Sequence, residues 1–279
     1  MEYSLVYKEG EKRLKEAGIL EASLDARLLL ESVCGTNHNT LLAHGDMDVS
    51  EENLAKYREY IERRVNREPV AYILGNCEFM GIDFEVSSDV LIPNQDTEIL
   101  AEEALRFLHD GMSFLDLCTG SGCIALSILK YTNDTHATAT DISEKALAIA
   151  EKNAKKLSME DRFTAVKTDI FPEKTEEKFD LIVSNPPYIP TAVIDTLEPE
   201  VKTFEPFIAL DGSKDGMKFY NRIIPEAKEY LYRNGFLMVE IGYDQGEAVK
   251  KLMEENGYKE VQVIKDLAGN DRVVSGCFF

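Results

Sequence analysis

Phe114-Leu115-Asp116-Leu117-Cys118-Thr119-Gly120-Ser121-Gly122-Cys123-Ile124-Ala125 decides the fold. An apolar strand, Ser113–Leu117, runs into a turn with two glycines, and a helix over Ser121–Leu129 follows. Glycine tolerates the backbone angles of a tight strand-to-helix turn and lets a ligand approach the main chain. Gly120-x-Gly122-x-x-Ala125 satisfies the G-x-G-x-x-G/A dinucleotide fingerprint. Twenty-one positions after Gly120 stands Asp141, at the end of the next predicted strand, Thr135–Thr140. A carboxylate there can take both hydroxyls of a ribose, with Ile142 beside it. Asp169 follows a third strand, Phe163–Lys167, where it can accept an adenine amino group, and Ile170 and Phe171 can pack on the ring. The turn alone does not separate NAD from S-adenosylmethionine, since both present a ribose. Asp116 tips the balance: it would repel a pyrophosphate and favour a cationic ligand.

Working outward, strands and helices alternate. Further strands fit Phe179–Ser184 and Phe236–Ile241, and further helices fit Ser143–Lys156, Lys218–Tyr232 and Gln245–Asn256. Such alternation implies parallel strands with right-handed crossovers. The end differs, because Tyr258–Ile264 and Arg272–Phe279 are strands with only a Gly269-Asn270 turn region between them. The predicted fold class is therefore α/β: a Rossmann-like, mostly parallel seven-stranded sheet finished by an antiparallel hairpin. That ending is typical of class I S-adenosylmethionine-dependent methyltransferases and foreign to ordinary dinucleotide folds.

Upstream, the first ~70 residues read as a small helical bundle. Ser23 and Ser50 are candidate caps, Gly18 is a stop, and Leu54, Tyr57, Ile61 and Val65 recur at helical spacing. Between Cys77 and Pro93 the period becomes two, which predicts a hairpin around Gly81. A helix returns over Asp96–Leu108.

The strand Phe179–Ser184 ends in Asn185-Pro186-Pro187-Tyr188. Open α/β sheets bind ligands beyond the carboxyl ends of their strands. Two prolines hold the chain extended and remove two donors, which leaves carbonyls facing the site. With the Asn185 side chain they form a rigid acceptor pair suited to a planar NH2 group. Such an amide or amino nitrogen is a poor nucleophile, so orienting it in line supplies most of the acceleration. Tyr188 can cover the planar group with its ring.

Charge narrows the partners. Lys plus Arg number 31 against 51 Asp plus Glu, a net charge of −20. Residues 1–80 hold 10 basic and 15 acidic residues, and the remainder holds 21 and 36, so neither part is basic. Nucleic-acid affinity depends on Lys and Arg at phosphates, so direct nucleic-acid binding is disfavoured. The five cysteines include no CxxC pair, which fits a reducing, cytoplasmic compartment and no metal. The four histidines stand singly among polar residues. The N-terminus is too charged for a signal peptide. No apolar run approaches a membrane span of ~20 residues.

The chain resembles the HemK-type release factor glutamine methyltransferases, which join a small helical domain to a class I methyltransferase domain. The resemblance spans nearly the whole length. It is carried by Gly75–Gly81, Val90-Leu91-Ile92-Pro93, Asp96-Thr97-Glu98, Asn185–Tyr188, Phe204-Glu205-Pro206, Ala209–Gly212, Asp215-Gly216, Glu240-Ile241-Gly242 with Gln245-Gly246, and Asp266–Gly269 with Asp271-Arg272. It implies residues 1–74 as a substrate-binding helical domain, 75–95 as a hairpin linker and 96–279 as the catalytic domain. It implies transfer of a methyl group from S-adenosylmethionine, giving S-adenosylhomocysteine, to the amide nitrogen (N5) of the glutamine in a release factor's Gly-Gly-Gln motif. Its cofactor contacts would fall on Cys118, Thr119, Gly120, Ser121, Gly122, Asp141, Ile170 and Asn185, to which the strand-end reading adds Ile142 and Asp169. Catalysis would rest on Asn185, Pro186 and Tyr188, with Pro187 completing the glutamine site. Two positions depart from the family. Asn94-Gln95 replaces a usual Arg-Pro, removing an expected cation. Cys118 replaces a common glycine, a change accommodated at ordinary backbone angles. The rivals are a nucleic-acid adenine N6-methyltransferase, which shares the tetrapeptide, an NAD-dependent oxidoreductase, which shares the glycine turn, and a catalytically silent protein that binds partners through its helical domain.

Overall fold

The computed structural model describes residues 1–173 and 177–279, which form two compact units. The first comprises Met1–Gly75 together with Glu198–Phe204, and the second Asn76–Leu197 together with Glu205–Phe279. The predicted linker hairpin thus folds as part of the second unit.

In the first unit, α1 (Tyr3–Glu16), α2 (Ala22–Cys34), α3 (His38–Ala43), α4 (Glu51–Val65) and α5 (Val70–Leu74) bury Val6, Leu14, Leu29, Leu30 and Ile61. Ser50 caps α4, its hydroxyl accepting the Asn53 N–H at 3.1 Å, and Glu51 and Glu52 occupy the first turn, where acidic groups suit the helix dipole. Ser23 lies inside α2 and not at its cap; its hydroxyl instead donates to Glu11. Gly10 lets α1 and α4 approach closely, since a Cβ there would meet the Tyr57 ring. Arg64 is buried between two carboxylates, 2.7 Å from Asp25 and 2.9 Å from Glu200. Glu200 belongs to the short helix Pro199–Phe204, which this unit recruits from far along the chain.

The second unit opens with β1 (Asn76–Phe79) and β2 (Ile82–Glu85), an antiparallel pair around Met80 and Gly81, both at positive φ. The predicted pattern extended to Val90, but the strand ends at Glu85 and Val90 is buried in the following loop. After α6 (Gln95–Phe107) come β3 (Ser113–Leu117), α7 (Cys123–Tyr131), β4 (His136–Asp141), α8 (Glu144–Lys156), β5 (Phe163–Lys167), β6 (Phe179–Ser184), β7 (Leu231–Glu240), β8 (Lys259–Lys265) and β9 (Asp271–Phe278). Among the described residues the large sheet has the order β5-β4-β3-β6-β7-β9-β8. β5 through β7 run parallel, and β9 is antiparallel to both β7 and β8. The antiparallel ending expected from sequence is present.

Side chains alternate across each strand, so β3 sends Phe114 to one core and Leu115 and Leu117 to the other. One expected helix is shorter than its pattern. Lys218–Tyr232 forms a helix only over Tyr220–Ala227, because Leu231 is taken by β7, which pairs with Phe179 of β6. The strand order reverses between β3 and β6, whose carboxyl ends therefore open into one crevice.

Candidate active site

The β3–α7 turn forms the floor of that crevice. Gly120 and Gly122 have φ of 57° and 79°, so both use glycine's freedom, but for different ends. A Cβ on Gly120 would meet nothing within 4 Å, whereas one on Gly122 would press on Ala150 and Leu126 at 3.1 Å. Gly120 thus keeps a cradle open, and Gly122 lets α7 and α8 pack. Cys118 has φ 60°. The ordinary backbone angles on which the cysteine's accommodation depended are absent, and a side chain occupies a left-handed position that favours glycine. Ile170, φ 76°, is a second such residue at the same crevice.

The turn is tied to the neighbouring strand. The Thr119 N–H donates to the Thr140 carbonyl at 2.9 Å. One Asp141 oxygen accepts the Gly120 N–H at 3.0 Å and the other the Ser143 N–H at 2.8 Å. Burial raises the Asp141 pKa, and these N–H groups oppose the shift. Asp116 is fully buried behind the turn, outside the cavity lining, where it accepts the Thr119 hydroxyl at 2.6 Å and burial pushes its pKa up to about 7. It therefore meets no ligand directly, contrary to the role expected of it. Asp169 lines the cavity but is paired with Arg222 at 3.1 Å, a partner that the sequence did not announce.

The tetrapeptide follows β6. The Asn185 side-chain N–H donates to the Thr97 hydroxyl at 3.1 Å. The Tyr188 hydroxyl donates to Glu240 at 3.2 Å, and the Tyr188 carbonyl accepts from Gln245 at 3.0 Å. Gly212 and Gly216 press on the Tyr188 main chain, where any Cβ would come within 2.7 Å of it. Glu240 is fully buried, and burial lifts its pKa to about 7 against the pull of Thr97, Arg272 and Tyr188. Arg272 makes an ion pair with Asp96 at 3.0 Å.

Cys118, Thr119, Gly120, Ser121, Asp141, Ile142, Asp169, Ile170, Asn185 and Pro187 line one cavity of about 260 Å³. Gly122, Pro186 and Tyr188 are not on its lining. Tyr188 directs its hydroxyl inward instead, and its ring packs against the core around Tyr220. Thr97, Lys218, Phe219 and Arg222 complete the wall without having been foreseen. Glu240, behind it, carried the one faint signal: an acid closing the apolar run from Phe236. No cluster of His, Cys, Asp or Glu suited to a metal occurs among the described residues.

The sheet order, the antiparallel ending and the glycine turn at its reversal point are those of a class I methyltransferase. A methyltransferase from Pyrococcus furiosus shares this fold, with a TM-score of 0.54 and 21% identity over 77% of this chain and 96% of that one. The model of the PrmC N-terminal domain matches residues 6–75, and that of the methyltransferase small domain matches residues 92–197. The release factor glutamine methyltransferase of Caulobacter vibrioides is 43% identical over 95% of this chain and 92% of its own. That of Clostridium botulinum is 43% identical over 95% of each. The chain belongs to the release factor glutamine methyltransferase family.

Proposed function

We infer that this protein methylates the N5 amide nitrogen of the glutamine in the Gly-Gly-Gln motif of peptide chain release factors, with S-adenosylmethionine as donor. The observation that supports this reading is that Asn185 and Pro187 of the tetrapeptide line the same cavity as Gly120 and Asp141 at the reversal point of the sheet. The residues fit the cofactor. Gly120 leaves open space, Asp141 offers carboxylate lone pairs for a ribose, and Ile142 and Ile170 supply apolar surface for an adenine. The cofactor supplies the methyl group, and S-adenosylhomocysteine is left.

The protein's share is orientation. The Asn185 side-chain oxygen and the Pro186 carbonyl accept the two N–H bonds of the substrate amide and aim its nitrogen into the cavity. Each such bond contributes about 1 kcal/mol in ordinary contexts and more in a dry site. Tyr188 holds the segment in place through Glu240. An acidic catalytic unit favours a protein partner with a basic surface over DNA, as expected of a factor that binds the ribosome. No described helix is long and apolar enough to cross a membrane.

The test is incubation with methyl-labelled cofactor and either purified release factor or duplex DNA. Label is expected on the Gly-Gly-Gln glutamine, and none on DNA. Asn185→Ala is expected to abolish transfer while calorimetry shows cofactor binding largely kept. Label on DNA alone, or full turnover by Asn185→Ala, would overturn the reading.

A further inference from the structure

The Asn185 amide has two ends, and only its oxygen can accept a substrate N–H. What sets its orientation is a short chain of hydrogen bonds from α6. Thr97, buried in the first turn of that helix, receives the Asn185 Nδ2–H on its hydroxyl oxygen at 3.1 Å. The Thr97 hydroxyl in turn has the Asn94 side-chain oxygen at 3.3 Å, and the same oxygen caps the helix by accepting the Thr97 N–H at 3.0 Å. A hydroxyl has one proton to give. With an acceptor at Asn94, that proton is directed away from Asn185, and the Thr97 lone pair meets the Asn185 NH2. The Asn185 oxygen is then the end left for the cavity that Asn185 lines.

We propose that Thr97 is a positioning residue, which with Asn94 fixes the Asn185 amide so that its oxygen faces the methyl acceptor. A reversed amide would present NH2 to the NH2 of the substrate, donor against donor. The relay therefore selects for an acceptor group that brings N–H bonds. It also accounts for Asn94 at a position where the family block has arginine: its side chain is both helix cap and terminal acceptor of the relay. This rests on the functional reading above, in which Asn185 accepts from the substrate.

The experiment compares Thr97→Val, which keeps the shape but cannot accept, with Thr97→Ser, which keeps the hydroxyl. Steady-state transfer to release factor, calorimetric cofactor affinity and thermal melting are measured for each, alongside Asn185→Ala. Thr97→Val is expected to lose about tenfold or more in kcat, with cofactor Kd within about twofold and a cooperative melt retained. Thr97→Ser is expected to recover most of the kcat. Unchanged kcat in Thr97→Val, or a loss that Thr97→Ser does not recover, overturns the relay. So does a loss that appears as weaker cofactor binding. If Asn185→Ala itself turns over normally, the functional reading fails. If Asn185→Ala is dead and Thr97→Val is fully active, only the relay fails.

Discussion

The Tyr188 hydroxyl donates to the carboxyl of Glu240 at 3.2 Å, joining the tetrapeptide after β6 to the buried end of β7. Both groups are removed from water, and burial together with the Glu240 charge raises the Tyr188 pKa, so the phenol stays a donor. Tyr188→Phe would remove the donor and leave a buried carboxyl short of a partner. Leaving such a group unsatisfied costs about 1–3 kcal/mol. The variant is therefore expected to unfold at lower urea with an unchanged slope, and to transfer methyl groups more slowly while still binding cofactor. A midpoint equal to that of the parent would show the bond to be without weight.

Two buried carboxyls, Asp116 and Glu240, and the half-buried Glu205 impose a pH dependence on stability. Burial raises Asp116, Glu205 and Glu240 each to about 7, from ordinary values near 4. Below pH 4 both folded and unfolded states hold these protons, and the contribution to stability is complete. As pH rises toward 7 the unfolded chain releases them first, so the folded state loses ground, and the loss levels off above the folded values. Melting temperature is expected to fall from pH 5.5 to pH 8. Glu240→Gln, which needs no proton to stay neutral, is expected to flatten that decline. A parent melting temperature that rises across this range would contradict the assignment.

Much of this was legible locally. β3, β5 and β6 have the bounds read from sequence, and the central β3 and β6 declare themselves by composition because buried parallel strands are rich in apolar residues. Gly120, Asp141 and Asn185 were found because each sits at a strand end, where spacing is fixed by the fold. β7 was misplaced at its start because Leu231 is claimed by pairing with Phe179, a non-local event. Thr97 bonds to a residue 88 positions away, and Arg222 to one 53 positions away, so no short pattern could link them to the site. The left-handed angle of Cys118 was hidden by residue type, since a glycine there would have announced it.

Cys118 therefore makes its own prediction. A non-glycine residue in the left-handed region costs roughly 1–2 kcal/mol, which at φ 60° the cysteine bears and a glycine would not. Branching at Cβ makes the position worse. Chemical denaturation is expected to place Cys118→Gly at or above the parent in stability and Cys118→Val about 2 kcal/mol or more below Cys118→Gly. If valine and glycine prove equal, the angle carries no strain.

In the helical unit, Arg64 lies between Asp25 and Glu200 with little of its side chain in water. Arg67 adds a weaker contact to Glu200 at 3.4 Å. Burial raises the Asp25 pKa, an effect that Arg64 opposes, so the arginine keeps that carboxylate ionised as well as paired. Removing one member of a buried ion pair costs about 3–5 kcal/mol because the remaining charge is left uncompensated. Arg64→Ala would strand two acids together, and the helix Pro199–Phe204 would lose its tightest anchor in this unit. The expected outcome is a lower melting temperature and faster proteolytic cleavage at residues 198–204, with both effects smaller at pH 5, where Asp25 protonates more readily. Arg64→Lys keeps a charge but not the fork that reaches both acids, so it should fall between the two. Cleavage at residues 198–204 no faster in Arg64→Ala than in the parent would mean that the segment is held without Arg64.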